Sequence, residues 1–106
     1  MYLRNKDIQL IRNYFSSKPV LKAYLFGSYS RNEADSDSDI DILVDLDYSQ
    51  HIGLGFVQMK LDLEEQLRKP VDLVSTQGIS THLLPFIEKD KLLIYESPKS
   101  KQLPDA

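Results

Sequence analysis

The stretch that most constrains the fold is residues 27–44, where an apolar run breaks at a Gly-Ser pair and resumes as Asp-Ile-Asp-Ile-Leu-Val. Residues 20–26, just before it, are almost wholly apolar and β-prone, so the Gly-Ser pair falls where a buried strand ends and the backbone turns. Beyond the turn, Asp39 and Asp41 alternate with aliphatic residues, which places both carboxylates on one face of a second strand. Because α/β proteins bind ligands at strand ends, the pattern predicts a ligand site here, with two carboxylates that favour a cation.

The length predicts one small domain, because 106 residues, 42% of them hydrophobic, suffice for one core and not for a second of ordinary size. We expect this domain to span residues 1–96, and the polar residues 97–106 to form a flexible tail. The absence of cysteine excludes disulfides and thiolate zinc sites, which fits a reducing compartment. No apolar run approaches the roughly 18 residues of a membrane span, and the N-terminus lacks a signal-peptide apolar region, so we expect no membrane association and a cytoplasmic protein.

The charges indicate what the protein binds. Net charge is −3, and the 13 basic residues are scattered rather than gathered into a stripe, which argues against tight binding of nucleic acid. Six aspartates lie between residues 35 and 47. They would repel a phosphorylated ligand unless metal ions intervened, so the pattern predicts Mg²⁺.

Apolar periodicity predicts the following elements in order: a helix over residues 7–16, strands over 20–26 and 39–45, a helix over 54–67, a strand over 71–75, a helix near 80–90 and a strand over 92–95. The passage between the first two strands is polar and loop-like, with a short helix possible around residues 31–34. The helix over 54–67 has two adjacent apolar stripes that predict a broad buried face: Phe56, Met59, Leu63 and Leu67, beside Leu54, Val57 and Leu61. The predicted fold class is α/β (α+β), a small mixed twisted β-sheet with helices packed mainly on one face.

These residue types suit phosphoryl chemistry. Nucleotidyl transfer attacks an α-phosphorus in line and expels pyrophosphate, and two Mg²⁺ ions can neutralise the charge and hold the reacting oxygens. Asp39 and Asp41, two residues apart on one strand face, supply adjacent carboxylates. Asp72, which interrupts an apolar strand, is the candidate third carboxylate, as a metal ligand or as the base for the incoming hydroxyl. Gly27 lets the backbone approach phosphate oxygens, to which the Ser28 hydroxyl can donate.

The spacing of Gly27-Ser28, ten intervening residues and Asp39-Ile40-Asp41 resembles the signature of the polymerase β nucleotidyltransferase superfamily, and the small size resembles its minimal (MNT) branch. The resemblance implies that Asp39, Asp41 and Asp72 are catalytic metal ligands. It implies that the triphosphate of ATP is faced by Gly27, Ser28, Arg31 and Ser38. One departure is Asn32, where the family often has glycine.

Minimal members often accompany HEPN proteins, and some act as antitoxins that transfer AMP from ATP onto a tyrosine of a HEPN ribonuclease toxin. The resemblance therefore implies a Mg²⁺-dependent protein adenylyltransferase with a HEPN-type partner. Two alternatives stay open: a non-catalytic module that neutralises a partner by contact, and nucleotidyl transfer to a small molecule. Homo- or hetero-oligomers are compatible with either.

Several conspicuous side chains have simpler explanations than catalysis. Arg31 could hold a phosphate through its planar fork or pair with Glu33 or Asp35 on the surface. The remaining aspartates are expected to be solvent-facing: Asp35, Asp37, Asp45 and Asp47. Two pairs are expected to stay outside the chemistry: His51 and His82, which lack metal-ligand spacing, and Tyr24 and Tyr29, which are core residues rather than base-stacking ones.

Overall fold

The computed structural model describes residues 3–31, 33–35 and 37–98. Its elements, in chain order, are α1 (Asn5–Phe15), β1 (Val20–Phe26), a 3₁₀ turn (Gly27–Tyr29), β2 (Ile40–Leu46), α2 (Gly55–Leu67), β3 (Val71–Ser75), α3 (Leu84–Asp90) and β4 (Leu92–Glu96). Each predicted helix and strand is present, with ends that differ by a few residues from the expected ones.

The four strands form one mixed sheet in the order β3-β2-β1-β4. β1 runs antiparallel to both β2 and β4, whereas β2 and β3 are parallel. A parallel pair needs a crossover connection, and α2 lies between these two strands in the chain. The mixed sheet and the α+β class are therefore as predicted.

One face of the sheet is covered by α1 and α2. The alternation in β2 turns Ile40, Ile42 and Val44 toward these helices, where all three are fully buried. The helices supply the other half of this core through residues at helical spacing: Ile11, Phe15, Met59, Leu63 and Leu67. The opposite face of β2 carries Asp41, Leu43 and Asp45, of which Leu43 is buried and the two aspartates are partly exposed.

α2 was predicted to bury two adjacent apolar stripes, and the prediction is wrong for the second of them. Leu54, Val57 and Leu61 are 85%, 52% and 50% exposed, whereas the stripe of Met59, Leu63 and Leu67 is buried. The reason is that α2 packs on β3 and α1 along a single side, and a helix that packs on one side can bury only a stripe on that side.

Two element boundaries also differ from expectation. Of residues 31–34, where a short helix was possible, those that the structure describes are not helical, and a 3₁₀ turn at Gly27–Tyr29 lies immediately after β1. The last helix begins at Leu84 rather than near residue 80, because Pro85 lies in its first turn, where a missing N–H is tolerated. Of the predicted tail, residues 99–106 lie outside the described part of the chain. None of the helices that the structure describes is both long and apolar enough to cross a membrane.

Candidate active site

Sheet register brings three aspartates to the same side of the sheet. Asp41 is paired with Phe26 on β1 and with Asp72 on β3. Paired residues on neighbouring strands share a face, and so do residues two apart on one extended segment. Asp39, which directly precedes β2, therefore lies on the same face as Asp41 and Asp72, opposite the α1 and α2 core.

Two hydrogen bonds hold the strands in this register close to the aspartates. The Ile40 N–H donates to the Pro70 carbonyl at 2.9 Å, which ties the start of β2 to the start of β3. The Val71 N–H donates to Oε2 of Glu64 at 2.9 Å, so α2 also holds the start of β3. The position of Asp72 is thus set by helix and sheet together.

The three carboxylates have unequal surroundings. Asp39 and Asp72 are exposed, whereas Asp41 is partly buried between them. Burial in the first place, and the negative charges of Asp72 and Asp39 in the second, raise the pKa of Asp41 to about 6, although the nearby Arg31 opposes the rise. A carboxylate that is partly desolvated among like charges is stabilised by a bound cation.

Gly27 is required by its contact with Asp41. Its φ is +74°, a conformation that side chains other than glycine rarely adopt. A Cβ at this position would overlap Oδ2 of Asp41. The turn is closed on the other side, because both the Ser30 hydroxyl and the Arg31 N–H donate to the Gly27 carbonyl, at 2.9 and 3.2 Å. Gly27, the glycine of the motif, therefore positions the carboxylate of Asp41.

Arg31 forms two ion pairs. Its Nη1 lies 2.7 Å from Oδ2 of Asp90 on α3, and its Nε lies 3.4 Å from Oε1 of Glu33. These acids raise the pKa of the Arg31 guanidinium. Of the two alternative surface partners, Glu33 and Asp35, the structure has Glu33, and Asp90 is a second partner that the sequence did not suggest. No sequence signal connects Arg31 to Asp90, since only the fold brings α3 beside this turn.

The two serines of the predicted set differ in their surroundings. Ser28 is partly buried in the 3₁₀ turn beside Gly27, and its carbonyl accepts from the Glu33 N–H at 2.8 Å. The Ser38 hydroxyl accepts from the Asp35 N–H at 2.9 Å and lies 3.3 Å from Oδ1 of Asp35. Ser38 therefore stabilises a local turn, whereas Ser28 directly follows Gly27, the residue that approaches Asp41. Asn32 lies outside the described residues.

One of the aspartates expected in solvent is buried. Asp35 and Asp37 are exposed, and Asp45 is partly exposed and lies 3.3 Å from the Thr76 hydroxyl. Asp47, however, is only 6% exposed. Its carboxylate accepts from the Ser49 N–H at 3.1 Å, the Ser49 hydroxyl at 2.6 Å and Nε2 of Gln50 at 3.0 Å. The Asp-x-Ser spacing is typical of such a turn and was the signal available in the sequence.

The histidines and tyrosines stay outside the carboxylate group. His51 and His82 are exposed, and Tyr29 is 2% exposed within the core, as expected. Tyr24 is partly buried, with Nζ of Lys91 4.5 Å from its ring centroid.

The carboxylates fit Mg²⁺ by donor type, because this ion prefers oxygen ligands and usually keeps several waters. Within residues 3–31, 33–35 and 37–98, no three His, Asp or Glu side chains are close enough together to enclose a metal ion. Since Asp39 and Asp72 are exposed side chains, rotation about their side-chain bonds is open to both.

Comparison with known proteins identifies the family of the chain. Residues 9–100 match the family model described as "Polymerase beta, Nucleotidyltransferase". A predicted protein adenylyltransferase of Methanocaldococcus jannaschii, MJ0435, is 42% identical over 74 residues, which cover 70% of this chain and 73% of that protein.

Solved structures with the same fold include the two that follow. A predicted minimal nucleotidyltransferase superimposes with a TM-score of 0.71 at 28% identity, over 82% of this chain and 88% of that one. A toxin–antitoxin crystallised with AMP-PNP gives a TM-score of 0.70 at 25% identity, over 92% of this chain and 77% of that one. The chain is thus a nucleotidyltransferase and belongs to the polymerase β nucleotidyltransferase family.

Proposed function

We propose that the protein is a Mg²⁺-dependent adenylyltransferase that moves AMP from ATP to a protein, and that its acceptor is a tyrosine of a HEPN-type toxin. The observation that carries the proposal is the register that aligns Asp41 with Asp72 on the sheet face opposite α1 and α2, with Gly27 packed against Asp41. The similarity to a protein adenylyltransferase and to a toxin–antitoxin that binds AMP-PNP supports it.

The residues divide the work of the transfer between them. Mg²⁺ held by Asp39, Asp41 and Asp72 would neutralise the triphosphate and its leaving group. The turn at Gly27 and Ser28 offers N–H and hydroxyl donors to phosphate oxygens. In the reaction the acceptor oxygen forms a bond to the α-phosphorus, and the bond from that phosphorus to the pyrophosphate oxygen breaks.

Asp72 suits the role of base for the acceptor hydroxyl. It is exposed, and β3 lies at one edge of the sheet, so an acceptor can approach it directly. The hydroxyl proton passes to the Asp72 carboxylate as the new bond forms. An exposed carboxylate on an edge strand is compatible with an acceptor that brings its own binding surface, as a protein does.

The test is to incubate the protein with ATP, Mg²⁺ and the protein encoded beside it, and to weigh that neighbour by intact mass spectrometry. We expect the mass of the neighbour to increase by one or more AMP groups with wild type and with the control Asp37→Asn. No increase is expected with an Asp39→Asn/Asp41→Asn double variant. Equal mass spectra for wild type and the double variant would refute the enzymatic proposal.

The same variants separate the alternative of a non-catalytic module. If the neighbour is a toxin, the transfer reaction predicts that the double variant of Asp39 and Asp41 fails to neutralise it in a growth assay. Neutralisation by the double variant as complete as that by wild type would favour inhibition by contact. Transfer of AMP to small molecules and not to the neighbour would contradict the proposal of a protein acceptor but not the proposal of AMP transfer.

A further inference from the structure

A cavity of about 200 Å³ adjoins the Gly-Ser turn and lies between the end of β1 and α3. Its apolar wall is formed by Phe26, Leu83, Phe86 and Ile87. Ile87 is buried, whereas the Phe86 side chain is 69% exposed at the mouth. None of the three site aspartates lines this cavity.

The structure assigns this cavity to the base of the nucleoside triphosphate, an inference that rests on the proposed function. Pockets that enclose a whole drug-sized ligand measure about 300–1,000 Å³, so the smaller cavity suits one flat ring system. An aromatic side chain beside it supplies the surface on which any nucleobase can stack. Phe86 is that side chain, and its exposure leaves the ring accessible to a base.

The position relative to the carboxylates favours the nucleotide over the acceptor. Phe26 pairs with Asp41 from the β1 side, whereas Asp72 pairs with it from the β3 side. Strands are about 4.8 Å apart, so the cavity and the proposed base for the acceptor lie on opposite flanks of β2. A ligand in the cavity touches Gly27, the residue that is expected to face the triphosphate.

The walls of the cavity are tied together by an ion pair. Arg31 follows the Gly-Ser turn, Asp90 ends α3, and the two side chains meet at 2.7 Å. Both residues line the cavity. The contact joins α3 to the turn, so the two walls of the cavity are already held together before a base binds. The entropy cost of ordering them on binding is therefore smaller.

The first experiment compares ATP with inorganic tripolyphosphate, which has no base, by calorimetry in the presence of Mg²⁺. We expect Phe86→Ala to weaken ATP binding about 5- to 30-fold, the lower part of the range for stacking of a base on an aromatic ring. Tripolyphosphate should bind wild type and variant equally. The matched control is Leu61→Ala, another exposed apolar residue, on α2, which should change neither affinity.

The second experiment uses fluorescence, because the chain contains no tryptophan. The emission of Phe86→Trp should change on addition of ATP and stay constant with tripolyphosphate, while Leu61→Trp responds to neither.

The outcomes separate this inference from the proposed function. Unchanged ATP affinity in Phe86→Ala, with AMP transfer retained, overturns the base site alone. Unchanged ATP affinity with reduced transfer assigns the cavity to the acceptor and also overturns the inference. Failure of wild type to bind ATP overturns the base site and the transferase together.

Discussion

Asp41→Asn should make the metal-free protein more stable at neutral pH. The structure raises the pKa of Asp41 from its ordinary value of 3.8 to about 6, chiefly by burial and then by the charges of Asp72 and Asp39. The folded state therefore binds a proton that the unfolded chain has already released between these two pH values. Stability associated with this group is fully present below about pH 4 and is lost as the pH rises through about 6.

The size of the effect follows from the difference in pKa. A difference of about 2 corresponds to about 3 kcal/mol at about 1.4 kcal/mol for each pKa unit. Asp41 is only partly buried, so solvent screening reduces this to about 1–2 kcal/mol. For a domain of this size the gain corresponds to a rise in melting temperature of roughly 4–15 °C.

The assay is urea unfolding of wild type and Asp41→Asn in EDTA, at a series of pH values from about 4 to 8. The gain in free energy of unfolding should grow through the interval from about pH 4 to 6 and then level off. Asp37→Asn, a change at an exposed loop acid, is the control and should show no such step. Excess Mg²⁺ should stabilise wild type more than Asp41→Asn. A ligand that binds the folded state stabilises that state, and the variant lacks one of the proposed metal ligands.

Two results would refute the reasoning. If Asp41→Asn is no more stable than wild type at about pH 8, the carboxylate is not desolvated in the way the structure indicates. If the gain is as large at about pH 4 as at pH 8, it comes from packing or hydrogen bonding and not from the charge.

Three further predictions concern Gly27, the buried Asp47 beyond the other end of β2, and the charge of Arg31. Gly27→Ala should displace the Asp41 carboxylate and lower AMP transfer at least about 100-fold in the mass-spectrometric assay, an effect of the size expected when reacting groups are misplaced by about 1 Å. Its control Gly55→Ala, where a Cβ meets no neighbour within 4 Å, should retain transfer, and equal activity of the two variants would contradict the contact. Asp47→Ala should cost about 1–3 kcal/mol in urea unfolding because three hydrogen bonds to a buried, charged carboxylate are lost, and a change below about 0.5 kcal/mol would count against that network. Arg31→Ala should raise the pKa of Asp41 in an NMR titration of its carboxyl carbon, since the guanidinium favours the charged form; an unchanged or lower value would exclude this coupling.

The general form of the fold could be predicted because it depends on local periodicity. The alternation around Ile40 and Ile42 indicates a strand with one buried face, and the spacing of Met59 and Leu63 indicates a helix with a buried stripe. Both features depend on neighbours a few residues away, and the structure has both. The exposed Leu61 shows the limit of this reasoning, because the width of a buried face depends on what packs against it.

Hydrogen bonding of single polar groups was harder to predict. The Asp-x-Ser spacing at Asp47 indicates a turn but not burial, since Asp35 also accepts hydrogen bonds within its own turn and is exposed, whereas Asp47 is buried. The partner of Arg31 could not be chosen from sequence, since Asp90 is distant in the chain and Glu33 is close. Such contacts depend on the path that a loop takes in the tertiary structure.

What the sequence by itself determined is the local part of the site: a Gly-Ser turn after an apolar strand, and Asp39 and Asp41 on one face of the next strand. These follow from the two-residue period of a strand and the conformational freedom of glycine. Only the tertiary structure decided that Asp72 lies in register beside Asp41, that Gly27 presses on its carboxylate, and that burial raises its pKa. The physical reason is that register, close contact and desolvation depend on segments far apart in the chain, which the packed sheet brings together.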